Sequence, residues 1–320
     1  MTESCAHLDT ARLSTISFSG RRPPWAIAVF AYNEAGRIEK ALRAIVAASG
    51  GAPIEVCVIA NGCSDATAAK VRACAALVPD LCLFEIDLAD KANAWNAFVH
   101  QAFPEQRAEQ IETFFFTDGD VTLEPDALPL LAEALAQAPG TLAAGGMPAT
   151  GRDREAWRRR MTANGMLAGN LYALRGSFVR DLRQRQVCMP VGLIGEDFLV
   201  SWLVATRGGR DWPPTREVVC AFHPDAQFSF RSLSPWRLGD YRTYLRRKWR
   251  YTLRALQFQM LVNLLAERGF TALPRNVDEI YAEAPLPSRL QWVGFDTPLR
   301  TLAVLRIRSI RQRVSGRRPA

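Results

Sequence analysis

Histidine is scarce in this sequence, with three residues in 320, and its seven cysteines form no C-x-x-C pair. That argues against a zinc framework, and the odd, unpaired spacing reads as reduced core thiols rather than disulfides. No G-x-x-x-x-G-K-[ST] segment occurs, which disfavours a P-loop enzyme. Long apolar runs are also missing. The longest clean one, Trp25 to Tyr32, has 8 residues, whereas a spanning helix needs about 20. The first 24 residues carry Glu3, Asp9, Arg12, Arg21 and Arg22 but no apolar stretch like that of a secretory leader. The expectation is a soluble, cytoplasmic protein without internal repeats, disordered only at its ends.

Acidic residues are absent, or nearly so, from two late stretches. Pro235 to Arg254 holds seven basic residues (Arg237, Arg242, Arg246, Arg247, Lys248, Arg250 and Arg254) against Asp240 alone. Pro298 to Arg318 holds seven arginines and no acid. They account for much of the net charge of +8. Such stretches are either solvated faces or contacts for anionic lipid, polyanion or phosphate.

What is present is an ordinary globular composition, 48% hydrophobic and 22% charged. Strand-like segments at 25–32, 54–60, 81–88 and 111–117 alternate with helix-like ones. Gly36 to Ser49 carries the stripe Ile38, Leu42, Ile45 and Val46. Ser64 or Asp65 can cap a helix to about Val78. Residues 92–103 form a third stripe, and Pro125 suits the first turn of a helix to about Gln137. This order predicts βαβ units and an α/β fold with a mainly parallel central sheet flanked by helices. After Gly140 come a short strand (141–146), an arginine-rich linker (151–160) and a strand with a helix start (169–179). A capped helix follows at 195–209, with Phe198, Leu199, Trp202 and Leu203 turned inward, then a strand at 217–223. Trp236 to Phe270 reads as a long helix interrupted at Gly239, with Leu245, Trp249, Leu253, Leu256 and Met260 as its apolar track. The proline-containing piece 271–297 reads as irregular. The domains expected are a tail (1–24), a catalytic domain (25–232), a basic helical extension (233–270) and an irregular segment with a basic tail (271–320).

Sheets of this kind bind ligands beyond the carboxyl ends of their strands. There the sequence places Asn33-Glu34, Asn61-Gly62, Asp90-Lys91 and Asp118-Gly119-Asp120. In extended chain, residues i and i+2 share a side. Asp118 and Asp120 so placed repel unless a cation joins them, and oxygen-rich sites suit Mg²⁺ or Mn²⁺. The alternative is a turn and helix cap, for which Asp-Gly is common chemistry.

Six segments in order resemble those of a family 2 glycosyltransferase of the GT-A fold. They are FAYNEAGRIEKAL (30–42), VIANGCSDATAA (58–69), DKANAWNAF (90–98), FFFTDGDVTLEPDAL (114–128), GNLYALRGSF (169–178) and GEDFLVSWL (195–203). The resemblance spans roughly residues 25 to 250 and implies a nucleotide-sugar-dependent enzyme. It implies donor contacts at Ala31, Tyr32, Asn33, Glu34, Asn61, Lys91, Asp118 and Gly119. It further implies a Mn²⁺ or Mg²⁺ ion at Asp120 and Asp118, with His223 as a candidate third ligand. Asp197, with Glu196 beside it, takes the place of the general base, and transfer is expected to invert the anomeric centre. The acceptor expected is a glycan or lipid-linked molecule of the cell envelope, reached from an anionic membrane surface. Three positions depart from the family pattern. Ala60-Asn61 stands where an acid commonly reads the base, Asp90 replaces a glycine, and Leu245-Arg-Arg-Lys-Trp249 lacks the glutamine of the membrane synthases. The alternatives are a nucleotidyltransferase, which would want a Gly-rich phosphate loop after the first strand, and a non-catalytic anion- or nucleic-acid-binding module. No RNA-binding motif is present, so no nucleic-acid partner is expected.

Overall fold

The structure, a computed structural model, describes residues 12–211, 220–231, 237–287, 294 and 296–315. Packing divides the chain into two units, Met1–Cys188 with Asp197–Ser232, and Met189–Glu196 with Leu233–Ala320.

The first unit begins with β1 (Arg12–Ser17), β2 (Trp25–Ala31), α1 (Ile38–Ala48), β3 (Ile54–Asn61), α2 (Thr67–Arg72) and β4 (Leu81–Ile86). It continues with α3 (Lys91–Gln101), α4 (Glu105–Ala108), β5 (Thr113–Asp118), β6 (Thr122–Leu123), α5 (Ala127–Gln137) and β7 (Ala143–Pro148). Then come α6 (Arg154–Asn164), β8 (Leu171–Arg175), α7 (Gly176–Gln184), α8 (Glu196–Ala205, whose first residue belongs to the second unit) and β9 (Cys220–Ser229). One sheet runs β1-β4-β3-β2-β5-β8-β7-β9-β6. Its centre, β4-β3-β2-β5, is parallel. Strands β1 and β8 flank that centre antiparallel. The central strands are buried on both faces, which is why they read as unbroken apolar runs rather than alternating ones.

The floor beneath the β5 end is aromatic. Phe114, Phe115 and Phe116 are fully buried. Burial of such a side chain stabilises by about 1.5–3 kcal/mol. Phe116 stacks on Tyr172 at 4.6 Å and 5°. The Tyr172 hydroxyl accepts a hydrogen bond from Trp95 Nε1 at 3.0 Å. Strand β5 is thereby fixed to both α3 and β8 just below its terminal carboxylate.

Several expectations change. The segment Arg12–Ser17, expected as tail, is an edge strand paired antiparallel with β4. Helix α2 stops at Arg72, because the next turns close on i→i−3 bonds, Cys74 N to Val71 O and Leu77 N to Cys74 O. The arginine-rich 151–160 is no linker. It carries α6, whose Trp157 packs edge-on against Phe228 and Phe230, both at 5.9 Å. Strand β9 runs on to Ser229. Cys57, Cys63, Cys74, Cys82 and Cys220 are free thiols. Cys188 instead is disulfide-bonded, since a bridge requires spatial proximity that sequence spacing does not reveal.

The second unit holds α9 (Leu238–Arg268), α10 (Val277–Glu283) and α11 (Thr297–Ser315), which pack on one another. Helix α9 runs through Gly239 without a break. Leu253, Leu256 and Met260 are buried as expected, but Leu245 is 64% exposed. The expected irregular segment contains α10, capped by Asn276 Oδ1 accepting from Glu279 N at 3.0 Å. The arginine tail is helical to Ser315. Gln257 joins the unit's parts, accepting from Ile194 N and donating to the Tyr281 hydroxyl, both at 2.8 Å.

Candidate functional site

Four loops after the parallel strands build the site. Asn33, just past β2, adopts a left-handed φ of 55°, which asparagine tolerates better than most residues. Its Oδ1 accepts from Ser64 N at 2.8 Å and Asp65 N at 3.3 Å. Asp65 in turn accepts from Ala35 N at 3.1 Å and Thr67 N at 2.9 Å, and Thr67 Oγ1 accepts from Glu34 N at 2.8 Å. The carboxamide oxygen of Asn33 is thus spent on joining the β2 and β3 loops. Its neighbour Tyr32 is 52% exposed, whereas Ala31 is fully buried and presents only backbone.

Asn61, buried at the end of β3, accepts from Asp90 N at 2.9 Å. Asp90 caps α3, accepting from Asn93 N at 2.8 Å, so the acid in the glycine's place starts the helix that carries Lys91. Gly62 has φ +62°, and a Cβ there would lie 2.6–2.7 Å from Ala89. Only glycine lets these two loops close.

Lys91 Nζ lies 2.5 Å from Asp118 Oδ1, with the side chains 24% and 29% exposed. The ammonium also sits 5.4 Å from the Phe30 ring centroid. Gly119 donates to Phe30 O at 2.8 Å, and a Cβ on it would lie 3.1 Å from that oxygen and 3.2 Å from Ala31 Cα. The missing side chain makes room for the β2 backbone. Asp120 is exposed and lines a cavity of about 410 Å³ together with Arg37, Lys40, Thr122, Ser229 and Arg231. The Glu34 carboxyl holds its proton above the usual range, first through burial and then through the charge of Asp120, against the opposing pull of Arg37 at 3.0 Å. Carboxylate oxygens such as those of Glu34 and Asp120 are the donor type that suits a hard divalent cation such as Mg²⁺ or Mn²⁺.

Asp197 Oδ2 accepts from Gly169 N at 3.3 Å, and its Oδ1 from Phe198 N at 3.0 Å. The next carbonyl in that turn, Asn170 O, accepts from Thr117 Oγ1 at 2.8 Å. Two side chains and one turn thereby connect Asp197 to the residue preceding Asp118. Glu196 is buried. His223 lies where β9 bulges away from β7, between the pairs Gly145↔Phe222 and Met147↔Gln227, and its Nδ1 accepts from Asp225 N at 3.2 Å. No group of three or more His, Cys, Asp or Glu side chains is placed to hold a metal among the described residues. The structure therefore does not bring His223 into one ligand set with Asp118 and Asp120, because the bulge directs the histidine to a local hydrogen bond.

Sequence reasoning missed Arg37, Lys40, Thr67 and Arg231, and read Asp65 only as a possible helix cap. Arg37 and Lys40 stand i, i+3 at the start of α1, a legible signal. Arg231 follows a strand whose end the sequence did not mark.

The profile of glycosyl transferase family 2 matches residues 26–191. No curated protein sequence matches the chain. Among solved structures, the mannosyltransferase PcManGT from Pyrobaculum calidifontis, in complex with GDP-Man and Mn²⁺, is similar at 19% identity and TM-score 0.54. The match covers 99% of this chain and 82% of that one. S. aureus TarS 1–349, in complex with UDP-GlcNAc, is 12% identical with TM-score 0.47, over 91% of each chain. At such identity the likeness to PcManGT establishes the fold and nothing finer.

Proposed function

Because the chain belongs to glycosyl transferase family 2 and is a glycosyltransferase, we propose that it moves a sugar from a nucleotide-sugar donor to an acceptor hydroxyl, with inversion. The observation that carries this reading is the Lys91–Asp118 pair at 2.5 Å, set beside Asp120 at the carboxyl edge of parallel strands. Lys91, steadied over Phe30, offers positive charge to the donor diphosphate. Asp118 orients that ammonium and contacts the donor's sugar or ribose. Asn61 braces the loop that carries Lys91, and Asn33 and Glu34 shape the nucleotide side.

Asp120, with Asp118, would hold Mg²⁺ or Mn²⁺, and the charge repulsion between Asp120 and Glu34 supports a place for a cation there. Such an ion, when bound, offsets charge on the departing diphosphate. Asp197 takes the proton of the acceptor hydroxyl as attack proceeds. The Gly169 and Phe198 N–H groups hold its carboxylate in place at the start of α8. Glu196, being buried, is given a structural part at the start of α8.

We assign catalysis to residues 25–232. No helix among the described residues is long and apolar enough to cross a membrane. The proposal places the protein in the cytoplasm, peripheral to an anionic membrane. Its support is the exposed Tyr241, Tyr244, Leu245 and Tyr251 interleaved with Arg242, Arg246, Arg247 and Arg250 along α9. A glycan or lipid-linked acceptor follows from that placement. Flotation with anionic liposomes but not neutral ones is expected. The catalytic assignment is tested with nucleotide sugars and Mn²⁺. A panel that shifts the melting temperature identifies the donor, and Asp120→Ala then removes turnover of it. Equal turnover by wild type and variant sinks the metal site.

A further inference from the structure

The cavity beside Asp120 has a chemistry that donor binding leaves unused. Its cations come from two separate elements. Arg37 and Lys40 stand one turn apart at the start of α1, and Arg231 follows β9. Asp120 is the one acid among the lining residues. Glu34 engages Arg37 at 3.0 Å. Hydroxyls of Thr122 and Ser229 add polar contacts, and the volume of about 410 Å³ lies within the range of small-molecule sites. The lining includes Gly119 and Asp120 but none of Asn33, Asn61, Lys91 or Asp118. The cavity therefore meets the residues assigned to the donor and metal only at Gly119 and Asp120.

We propose that Arg37, Lys40 and Arg231 form an acceptor subsite that takes the phosphate monoester of a phosphorylated acceptor. This rests on the reading that transfer occurs at Asp118 and Asp120, and it names the acceptor class for that site. A phosphate monoester brings nearly two negative charges and three acceptor oxygens at neutral pH. Two guanidinium groups and an ammonium around an open pocket suit that geometry. Bound there, the phosphate anchors the acceptor while a hydroxyl elsewhere on the same molecule presents itself at Asp120. The cations hold the substrate by a group that takes no part in the chemistry, so no bond to phosphorus forms or breaks.

The test uses the full chain and two probes measured by calorimetry, inorganic phosphate and the nucleoside diphosphate (GDP or UDP) that shifts the melting temperature with Mn²⁺. Phosphate is expected to bind wild type, to remain bound when the diphosphate is added, and to weaken at least about tenfold in Lys40→Ala/Arg231→Ala. The diphosphate is expected to keep its affinity within about twofold in that variant. Lys40→Glu, at an exposed position, provides a second variant whose melting temperature reports folding. Unchanged phosphate binding in the variants overturns the proposal. So does displacement of phosphate by the diphosphate, or parallel loss of both ligands, because the cations would then serve the donor. If neither GDP nor UDP binds while phosphate does, the donor reading fails and the acceptor role falls with it, leaving only an anion site.

Discussion

The site's rigidity is tested most directly at Gly62, where the β3 loop meets the β4–α3 connection. Replacement by alanine places a methyl 2.6 Å from Ala89 Cβ and 2.7 Å from its Cα and N. Two costs arise. The left-handed conformation at φ +62° costs an L-residue about 1–2 kcal/mol. Overpacking against backbone, which cannot swing aside, adds about 1–3 kcal/mol. Gly51 separates the two, because its φ is +79° with nothing within 4 Å of the added Cβ. Gly51→Ala is therefore expected to lose only about 1–2 kcal/mol. For a unit of this size the melting temperature falls roughly 2–4 °C per kcal/mol. Differential scanning fluorimetry is then expected to show a drop of roughly 2–8 °C for Gly51→Ala and roughly 4–20 °C for Gly62→Ala, the latter larger by the overpacking cost. Nearly equal drops for the two variants refute the packing argument, and with it the claim that the Asn61 and Lys91 loops are locked together.

Three further outcomes are expected. Asp197→Asn keeps an oxygen for the Gly169 N–H, so melting changes little, while kcat falls by about 10²–10⁴ with donor affinity unaltered; undiminished kcat refutes its role as base. Burial lowers the pKa of His100 to about 4 while its Nε2 donates to Val187 O at 3.0 Å. The unfolded chain takes up the proton first, so stability complete above about pH 6.5 declines toward pH 4, by up to about 3 kcal/mol. His100→Gln should flatten denaturant midpoints measured across that window. Glu34 retains its proton to higher pH than an ordinary glutamate, so Mn²⁺ affinity by calorimetry should weaken on acidification through that raised pKa. Glu34→Gln should lower the affinity and remove much of the slope, and a pH-independent wild type contradicts the assignment.

The central sheet was legible because each strand end is written locally. WAIAVFA, IEVCVIA and TFFFTD are apolar over their lengths and stop at polar residues, and a parallel strand buried on both faces has no other way to appear. The stripe of α1 was equally plain, since Ile38, Leu42 and Ile45 are all buried. Strand β1 escaped because an edge strand with polar alternation resembles a tail. Helix α6 escaped because its helical face is short and its arginines are many, so Trp157 and Met161 alone mark the buried side. Leu245 looked like core by periodicity and is exposed, because periodicity shows which residues share a face but not whether anything covers it.

Among the site residues the same division holds. The sequence by itself determined that four polar clusters stand at four strand ends, for the order of strand, turn and helix is a property of the chain. Only the tertiary structure decided their partners. It set Lys91 against Asp118 and Glu34 toward Asp120. It also turned Asn33 and Asn61 into loop braces, gave His223 a local hydrogen bond from Asp225 N, and gathered Arg37, Lys40 and Arg231 around one cavity. These pairings join residues distant in the chain. Propensity and pattern act over a few residues, whereas charge and hydrogen bonding act through space once the sheet has brought the loops together.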